Sequence, residues 1–354
     1  MRSWSVSSAR SPASNRGRER GCATGRCCPR EGCSTQGSIS FPAVPGFVDD
    51  YTRRCARIFA EAGRPFSEQE QDHLRTVLAR QLAEAYSKSI RSSVVVSYQA
   101  VLAGPLNYQV NVNCWTIEQA YDNWIATREP PLFGTEPDAR VWALASEAPD
   151  PKAHRVLEIG AGTGRNALAL ARRGHPVDVV EVTKNFADMI VRDASQQSLD
   201  VRVINRDVFA TREDLRRDYA LIVLSEVVPE FRTAAELRGL LELAAECLAP
   251  GGRLVFNIFL ADASYVPDEA DRQFAQQEYS GFFTRPEMAD AAAGLPLELE
   301  ADDSVFDYEQ ANLPEGAWPP TSWYANWVAG LDVFEIEREN CPIDMRWLVY
   351  RSTR

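Results

Sequence analysis

The segment that most constrains the fold of this chain is RVLEIGAGTGRNALALARRGHPVDVVEV, residues 155–182. A short apolar run at 156–159 stops at a glycine-rich loop, which is the pattern of a buried parallel strand. The apolar residues of 166–173 recur at helical spacing, and a glycine and a proline end that helix. A second strand at 177–182 brings Glu181 near its carboxyl end, where a carboxylate can accept both hydroxyls of a ribose. The segment therefore predicts a site for a nucleotide-like cofactor.

The spacing of the glycines separates two classes of cofactor. The dinucleotide-binding fingerprint has its third glycine three positions after the second, but Arg165 occupies that place here. The glycines alternate instead, at Gly160, Gly162 and Gly164, behind Glu158. This arrangement resembles the first motif of the class I S-adenosylmethionine-dependent methyltransferases, whose ligand has no phosphate and places its amino acid portion over the glycine loop. A dinucleotide-binding protein and a non-catalytic copy of the fold are the alternatives.

The segments that follow keep the order of that family. A β-branched run at 201–204 resembles its third strand, and the resemblance implies that Asp207 contacts the adenine amino group. An apolar strand at 219–224 leads into Ser225–Glu230, where the family exposes polar groups between cofactor and acceptor. A leucine-rich helix at 234–248, a Pro-Gly-Gly turn and a fifth strand complete the pattern. The resemblance implies S-adenosylmethionine as the cofactor, with these contacts: Glu158, Gly160, Ala161, Gly162, Gly164, Asn166, Glu181, Val182, Asp207, Val208 and Ser225.

The resemblance also implies an α/β fold, a Rossmann-like seven-stranded methyltransferase sheet with helices on both faces. We expect this domain to span residues 147–354, with Val305-Phe306 in its sixth strand. A mainly helical unit is expected before it, at 46–146, with two β-rich runs at 94–98 and 108–112. One helix is expected at 49–62, and Ser67–Glu70 forms a capping box that opens a second helix with apolar residues on one face.

Aromatic residues occur in two groups that bear on the acceptor. One group lies shortly before the glycine loop, where the family often places a helix over cofactor and acceptor. The other belongs to a proline-rich insertion at about 309–342, which we interpret as a lid over a hydrophobic acceptor. Simple packing onto the sheet is the alternative for any of these rings, and self-association is the alternative for the insertion. The candidate acceptor-binding residues are Tyr121, Trp124, Phe133, Trp323 and Tyr324.

Methyl transfer asks little of a protein beyond a water-poor pocket that aligns the acceptor atom with the methyl group. A base is needed only for hydroxyl, carbon or protonated amine acceptors. Glu226 and Glu230 are the candidate catalytic residues, as a base or as partners of a cationic acceptor, because burial raises the pKa of a carboxyl group. Solvated loop acids are the alternative. Structural roles are expected for His73, His154 and His175.

The composition restricts the partners. A formal net charge of −12 disfavours polyanions, so we expect a neutral or cationic small molecule and neither nucleic acid nor membrane. No apolar run approaches the length of about 20 residues that a membrane-spanning helix needs. Four cysteines at 55, 114, 247 and 341 lie in apolar segments, which is typical of free thiols in a reducing compartment. The cytoplasm is therefore the expected location, and a homodimer is left open.

Residues 1–45 are rich in Arg, Ser, Gly and Pro and lack apolar periodicity, so disorder is expected and the segment is predicted to be dispensable for folding. An organelle transit peptide and a stretch upstream of the true start are both compatible with this composition. The cysteines at 22, 27, 28 and 33 match no common zinc-finger spacing, and no metal site is predicted.

Together these features predict transfer of a methyl group to a small, apolar or aromatic acceptor by O-, N- or C-methylation, in natural-product or other small-molecule metabolism. A protein or peptide methyltransferase is one alternative, for which the aromatic insertion is a docking surface. A non-catalytic regulator or partner subunit that binds S-adenosylmethionine is another.

Overall fold

The computed structural model describes residues 34–101 and 105–354. Its amino-terminal part is a three-stranded antiparallel sheet, in the order β1-β2-β3, packed against two helices. The elements are β1 (Ser34–Pro42), α1 (Val48–Glu61), α2 (Glu68–Lys88), β2 (Ser93–Val101) and β3 (Leu106–Asn113).

Local sequence explains the two helices. The Ser67 hydroxyl caps α2 by accepting a hydrogen bond from the Glu70 backbone N–H. In turn, the Glu70 carboxylate accepts a hydrogen bond from the Ser67 N–H at 2.8 Å. Leu74, Leu78 and Leu82 recur every fourth residue and are fully buried against α1 and the sheet.

This part of the chain differs from the prediction in two ways. Residues 34–42, expected to be disordered within 1–45, form the edge strand β1, because they pair with β2 along their whole length. Phe41 is 1% exposed, and Ala43 and Val44 are buried with it. The unit is also mixed rather than mainly helical, since its three strands pair along their length and place Ile39, Phe41, Val94 and Val96 in its core. Residues 1–33, with the cysteines at 22, 27, 28 and 33, lie outside the described residues.

A third helix connects this unit to a large sheet. The further elements are α3 (Ile117–Thr127), α4 (Ala139–Ser146), β4 (Val156–Ile159), α5 (Arg165–Arg172), β5 (Val177–Val180), α6 (Lys184–Gln196), β6 (Val201–Ile204), β7 (Tyr219–Leu224), α7 (Ala234–Cys247), β8 (Leu248–Ala261), α8 (Glu269–Gln277), β9 (Phe282–Phe283), α9 (Arg285–Ala292), β10 (Leu297–Ser304), α10 (Val305–Asn312), α11 (Tyr324–Val328) and β11 (Ile343–Ser352). Helix α4, placed before 147 by the prediction, packs with α5 and α10 against this sheet.

The sheet has the order β10-β11-β8-β7-β4-β5-β6, and the short β9 pairs with β8. Strands β4 to β8 are parallel, whereas β11 is antiparallel to both of its neighbours. This confirms the predicted α/β fold and its main sheet.

Helices cover both faces of the sheet. Successive side chains of a strand point to opposite faces, and in β7 Leu221 and Val223 belong to one apolar core while Ile222 and Leu224 belong to the other. Among the described residues, no helix combines the length and apolar character needed to cross a membrane.

Helix α8 lies between the large sheet and the amino-terminal unit. Gln273 accepts a hydrogen bond from the Gly46 N–H at 2.9 Å, and the rings of Phe274 and Phe47 lie 5.5 Å apart. Tyr86 of α2 donates to Gln276. The two parts of the molecule are therefore in direct contact along α8.

The carboxyl-terminal region corrects two predictions. Val305 and Phe306 begin helix α10, and the sixth strand is β10, immediately before them. This edge strand has the sequence LELEADDS with mostly acidic, partly exposed side chains, so it lacks the apolar pattern of a buried strand. The insertion at 309–342 is also not an independent lid, because Tyr324 and Trp327 are buried in the core of the sheet at 2% and 5% exposure.

Candidate functional site

A cavity of 680 Å³ opens at the carboxyl ends of the parallel strands. The loops that follow β4, β5, β6 and β7 all contribute to its lining, as expected for a ligand site in an open parallel sheet. Most of the predicted cofactor contacts line it: Glu158, Gly160, Ala161, Gly162, Asn166, Glu181, Val182, Asp207, Val208 and Ser225. The candidate catalytic residues Glu226 and Glu230 line it as well.

The glycine loop has a backbone that other residues rarely adopt. Gly160 and Gly162 have φ angles of +69° and +54°. A Cβ at Gly160 would overlap Val227, and a Cβ at Gly162 would lie 3.1 Å from the ring of Phe133. Gly164 differs from the prediction, because it faces Ile190 and Leu168 at the start of α5 and does not line the cavity.

Glu181 fixes the glycine loop to the end of β5. One carboxylate oxygen accepts a hydrogen bond from the Gly162 N–H at 2.9 Å, and the other accepts from the Thr183 N–H at 2.8 Å. Burial raises the pKa of Glu181, and these backbone donors act in the opposite direction. Each oxygen keeps a lone pair, so the carboxylate could also accept the two hydroxyls of a ribose.

Farther along the cavity the lining becomes more open. The Asp207 carboxylate accepts a hydrogen bond from the Phe209 N–H at 2.8 Å, and Val182 is 47% exposed. The Ser225 hydroxyl and one Glu158 oxygen are buried without a hydrogen-bond partner among the described residues. Unpaired buried polar atoms of this kind are costly unless a ligand or water satisfies them. This half of the cavity therefore offers donors and acceptors suited to a polar ligand such as S-adenosylmethionine.

A buried charge network supports the glycine loop. Arg165 forms ion pairs with Asp138 at 2.7 Å and with Glu226 at 3.1 Å. Asn166 donates to Asp138 at 2.9 Å and to Glu158 at 3.1 Å. The Asn166 amide group is therefore already engaged in orienting Glu158 and Asp138, in addition to any contact with a ligand.

Burial raises the pKa of two carboxyl groups in this network. The pKa of Glu158 rises to about 8, and that of Glu226 rises to about 7 against the attraction of Arg165. The Glu226 backbone has a φ of +63°, held by donation of its N–H to Asn257 at 2.7 Å. Glu226 could therefore exchange a proton near neutral pH.

Sequence reasoning missed Arg165 and Asp138 as members of the site. In the sequence, Arg165 stands out only because it occupies the position of the third glycine of the dinucleotide fingerprint. The available signal for Arg165 is its position, because a charged residue at the start of α5, directly after the glycine loop, lies close to a ligand bound there.

Glu230 has a different environment. It forms a buried ion pair with Arg91, whose side chain is 4% exposed, and it accepts a hydrogen bond from the Tyr121 hydroxyl at 3.0 Å. The Arg91 guanidinium also lies 3.3 Å from the ring centroid of Tyr279 and donates to the Gln276 carbonyl at 2.8 Å. One oxygen of Glu230 thus contacts α3 through Tyr121, and the other contacts Arg91, which in turn binds the end of α8. The contribution of Arg91, from the amino-terminal unit, had no local signal in the sequence.

Aromatic rings form the other half of the cavity. Four of the predicted acceptor residues, Tyr121, Trp124, Phe133 and Trp323, line it. Tyr324 does not, because it is buried in the core behind the cavity wall. The ring centroids of Trp124 and Phe133 lie 4.9 Å apart, and those of Trp124 and Trp323 lie 5.9 Å apart. Five further rings that were not predicted also line the cavity: Phe186, Phe209, Phe231, Tyr279 and Trp327.

The histidines lie elsewhere. His154 and His175 contact each other with ring centroids 5.2 Å apart, and neither they nor His73 line the cavity.

Comparison with known proteins agrees with this geometry. Residues 136–294 match the family model described as a methyltransferase domain. The ubiquinone biosynthesis O-methyltransferase of Coxiella burnetii is 26% identical over 106 residues, which are 30% of this chain and 44% of that protein. The chain thus spans less than half the length of the curated relatives it matches.

Solved structures are similar at low identity. The geranyl diphosphate C-methyltransferase from Streptomyces coelicolor A3(2) has a TM-score of 0.46 and 16% identity, over 60% of this chain and 80% of that chain. The cyclase SpnF has a TM-score of 0.44 and 14% identity, over 61% and 80% of the two chains. Both similarities are too weak for function to follow from them.

The family match, the order of the parallel strands and the glycine loop at the mouth of one cavity point to the same conclusion. Residues 136–294 are therefore a methyltransferase domain of the class I type, whose cofactor is S-adenosylmethionine.

Proposed function

We propose that this protein transfers a methyl group from S-adenosylmethionine to a small acceptor with an apolar or aromatic body. The observation that carries the proposal is the continuity of the cavity, which runs from the glycine loop to a wall of aromatic rings. A single space of 680 Å³ is large enough for cofactor and acceptor to lie side by side.

We assign the polar half of the cavity to the cofactor. Glu181 would accept the ribose hydroxyls while it holds the loop, and Asp207 would accept the adenine amino group. The Gly160–Gly162 backbone and Glu158 would then face the amino acid portion. These assignments are supported by the burial of Glu181, by the unpaired Glu158 oxygen and by the absence of side chains on the two glycines.

The aromatic half would bind and orient the acceptor. S-adenosylmethionine supplies a methyl group on a positively charged sulfur, which a nucleophilic atom can attack directly. The rings of Tyr121, Trp124 and Phe133 exclude water from this space, and alignment of two reactants in a dry pocket lowers the barrier strongly.

Two carboxylates border both halves and differ in the roles they can take. Glu226 has a pKa of about 7 and one ion pair, so we assign it as the group that accepts a proton from a hydroxyl or ammonium acceptor. Glu230 is paired with Arg91 and Tyr121, so we assign it to positioning α3 over the acceptor.

The cysteines and the shape of the cavity bear on the setting of the reaction. The described cysteines, Cys55, Cys114, Cys247 and Cys341, are free, which fits a reducing compartment such as the cytoplasm. The aromatic lining of the cavity fits a small molecule of natural-product or related metabolism better than a protein side chain.

The test is transfer from methyl-labelled S-adenosylmethionine into a metabolite extract of the source cells, with small-molecule and protein fractions read separately by mass spectrometry. We expect label in a small molecule, and no label with the Glu226→Gln protein if the acceptor must lose a proton. Binding of S-adenosylhomocysteine by both proteins serves as the control for an intact cofactor site.

The other outcomes favour the alternatives. Label only in protein would support a protein or peptide methyltransferase. No label, together with tight binding of S-adenosylhomocysteine, would support a non-catalytic regulator or partner subunit.

A further inference from the structure

Two carboxylates at the aromatic end of the cavity have no use in the function proposed above. Glu278 follows α8 and Asp332 follows α11, and both line the cavity. Among the described residues, neither carboxylate has a hydrogen-bond or ion-pair partner within the protein. The nearby cation Arg91 directs its guanidinium to Glu230 and to the carbonyls of Gln276 and Gln277.

The structure holds these two acids close to each other. Trp327 of α11 donates its indole N–H to the Tyr279 carbonyl at 3.0 Å, which ties the segment carrying Asp332 to the segment carrying Glu278. Burial, with a further contribution from Asp332, raises the pKa of Glu278 to about 7 against the attraction of Arg91. A positive charge placed between two neighbouring carboxyl groups of this kind would stabilise their ionised forms.

The surrounding wall is chemically suited to a cation. Five electron-rich rings form a continuous row in the order Tyr279, Tyr121, Trp124, Trp323 and Trp327. The distances between the centroids of successive rings are 6.4, 6.0, 5.9 and 5.6 Å. Faces of Trp and Tyr rings attract ammonium groups, most strongly where water is excluded. Tyr279 and Trp124 already hold arginine guanidiniums, at 3.3 Å from Arg91 and at 4.5 Å from Arg128.

The other end of the same cavity is also built for a polar ligand. Ser225 is 9% exposed and lines the same cavity, yet its buried hydroxyl has no partner among the described residues. A hydroxyl in this state requires a ligand atom or a water molecule. The unpaired groups therefore occur at both ends of the space, not only at the acid pair.

We infer that the acceptor carries a positively charged nitrogen, an ammonium group on an apolar or aromatic body, bound between Glu278 and Asp332 and against the Trp and Tyr rings. This inference rests on the proposed function, because it requires the acceptor to occupy the aromatic half of the cavity. The nitrogen is the anchoring group, and the carboxylates set the charge of the molecules that are accepted.

The test uses the full-length protein saturated with S-adenosylhomocysteine. Phenethylamine, its neutral analogue 2-phenylethanol and the anion phenylacetate are titrated separately, and quenching of tryptophan fluorescence reports binding near Trp124, Trp323 and Trp327. We expect phenethylamine to bind at least about tenfold more tightly than the alcohol and phenylacetate to bind least, because only the amine is cationic at neutral pH.

The variants Glu278→Gln and Asp332→Asn remove the charges with little change of shape. Each is expected to weaken phenethylamine binding by about tenfold or more and to leave the affinities for S-adenosylhomocysteine and 2-phenylethanol unchanged. Glu298→Gln is the matched control, because it removes one negative charge from the exposed face of β10. Circular dichroism establishes that each variant is folded, and either one of the two cavity variants suffices for the test.

The outcomes are separable. Equal affinity for amine and alcohol, or full amine affinity in both cavity variants, would overturn the cation site. Tight binding of S-adenosylhomocysteine in the same experiment would leave the proposed function standing. Failure of the wild-type protein to bind S-adenosylhomocysteine would instead overturn the proposed function, and this inference with it.

Discussion

Replacement of Arg91 by Met should destabilise the protein far more than loss of an ordinary surface charge. The Arg91 side chain is 4% exposed and that of Glu230 is 14% exposed, so the variant leaves a carboxylate buried without its counterion. Removal of one partner from a buried ion pair typically costs about 3–5 kcal/mol of unfolding free energy. The carbonyls of Gln276 and Gln277 also lose their donor.

Urea unfolding, followed by far-ultraviolet circular dichroism, measures this free energy. The double variant Arg91→Met with Glu230→Gln removes the uncompensated charge, so we expect it to recover about 1–3 kcal/mol relative to the single variant. Arg75→Met is the matched control, because Arg75 pairs with Asp49 on the surface at 2.5 Å with both side chains about half exposed. That variant should lose less than about 1 kcal/mol.

The reasoning would be refuted if Arg91→Met were no more destabilising than Arg75→Met. It would also be refuted if neutralising Glu230 brought no recovery, since the cost would then come from lost packing and not from an unpaired charge.

Four further changes test other parts of the structure. Gly162→Val should abolish the binding of S-adenosylhomocysteine measured by calorimetry. Gly316→Val is the control and should leave this binding intact, because Gly316 also has a positive φ but no atom lies within 4 Å of its Cβ position. Retained binding by Gly162→Val would contradict the assignment of the glycine loop. Glu181→Ala should weaken the same binding by about 1–3 kcal/mol, and an unchanged affinity would remove Glu181 from the site. Glu226 has a pKa raised from 4.5 to about 7 in the folded protein, so its contribution to stability is full below about pH 4.5 and is lost as the pH rises through 7. The free energy of unfolding should therefore fall less steeply between these pH values for Glu226→Gln than for the wild-type protein. Equal slopes would contradict the burial of this charge. A chain that begins at residue 46 should melt at a lower temperature than one that begins at residue 34, because it lacks β1 and the buried ring of Phe41; equal melting temperatures would show that β1 contributes nothing.

Buried elements with a local pattern could be predicted from the sequence. The bounds of β7 agree with its apolar run, because a strand covered on both faces has little choice but a continuous apolar sequence. The start of α2 agrees with its capping box for a similar reason, since both partners lie within four residues.

Elements whose partners are distant in sequence could not be predicted. Strand β1 contains only two large apolar residues, Ile39 and Phe41, and its partner β2 begins more than 50 residues later. Strand β10 lies at the sheet edge and carries acidic side chains, so it has no apolar signature. The same holds for the site, where Arg91 and Glu230 are 139 positions apart and only the folded chain brings them together.

The position of α8 has a consequence for how this enzyme can be rebuilt. One flank of the helix holds the amino-terminal unit through Gln273 and Phe274, and its end carries Glu278 and Tyr279 into the cavity wall. The amino-terminal unit is therefore not a detachable module. A chimaera that exchanges it between related chains must transfer residues 269–279 as well, because these residues both contact the amino-terminal unit and form part of the aromatic wall of the cavity.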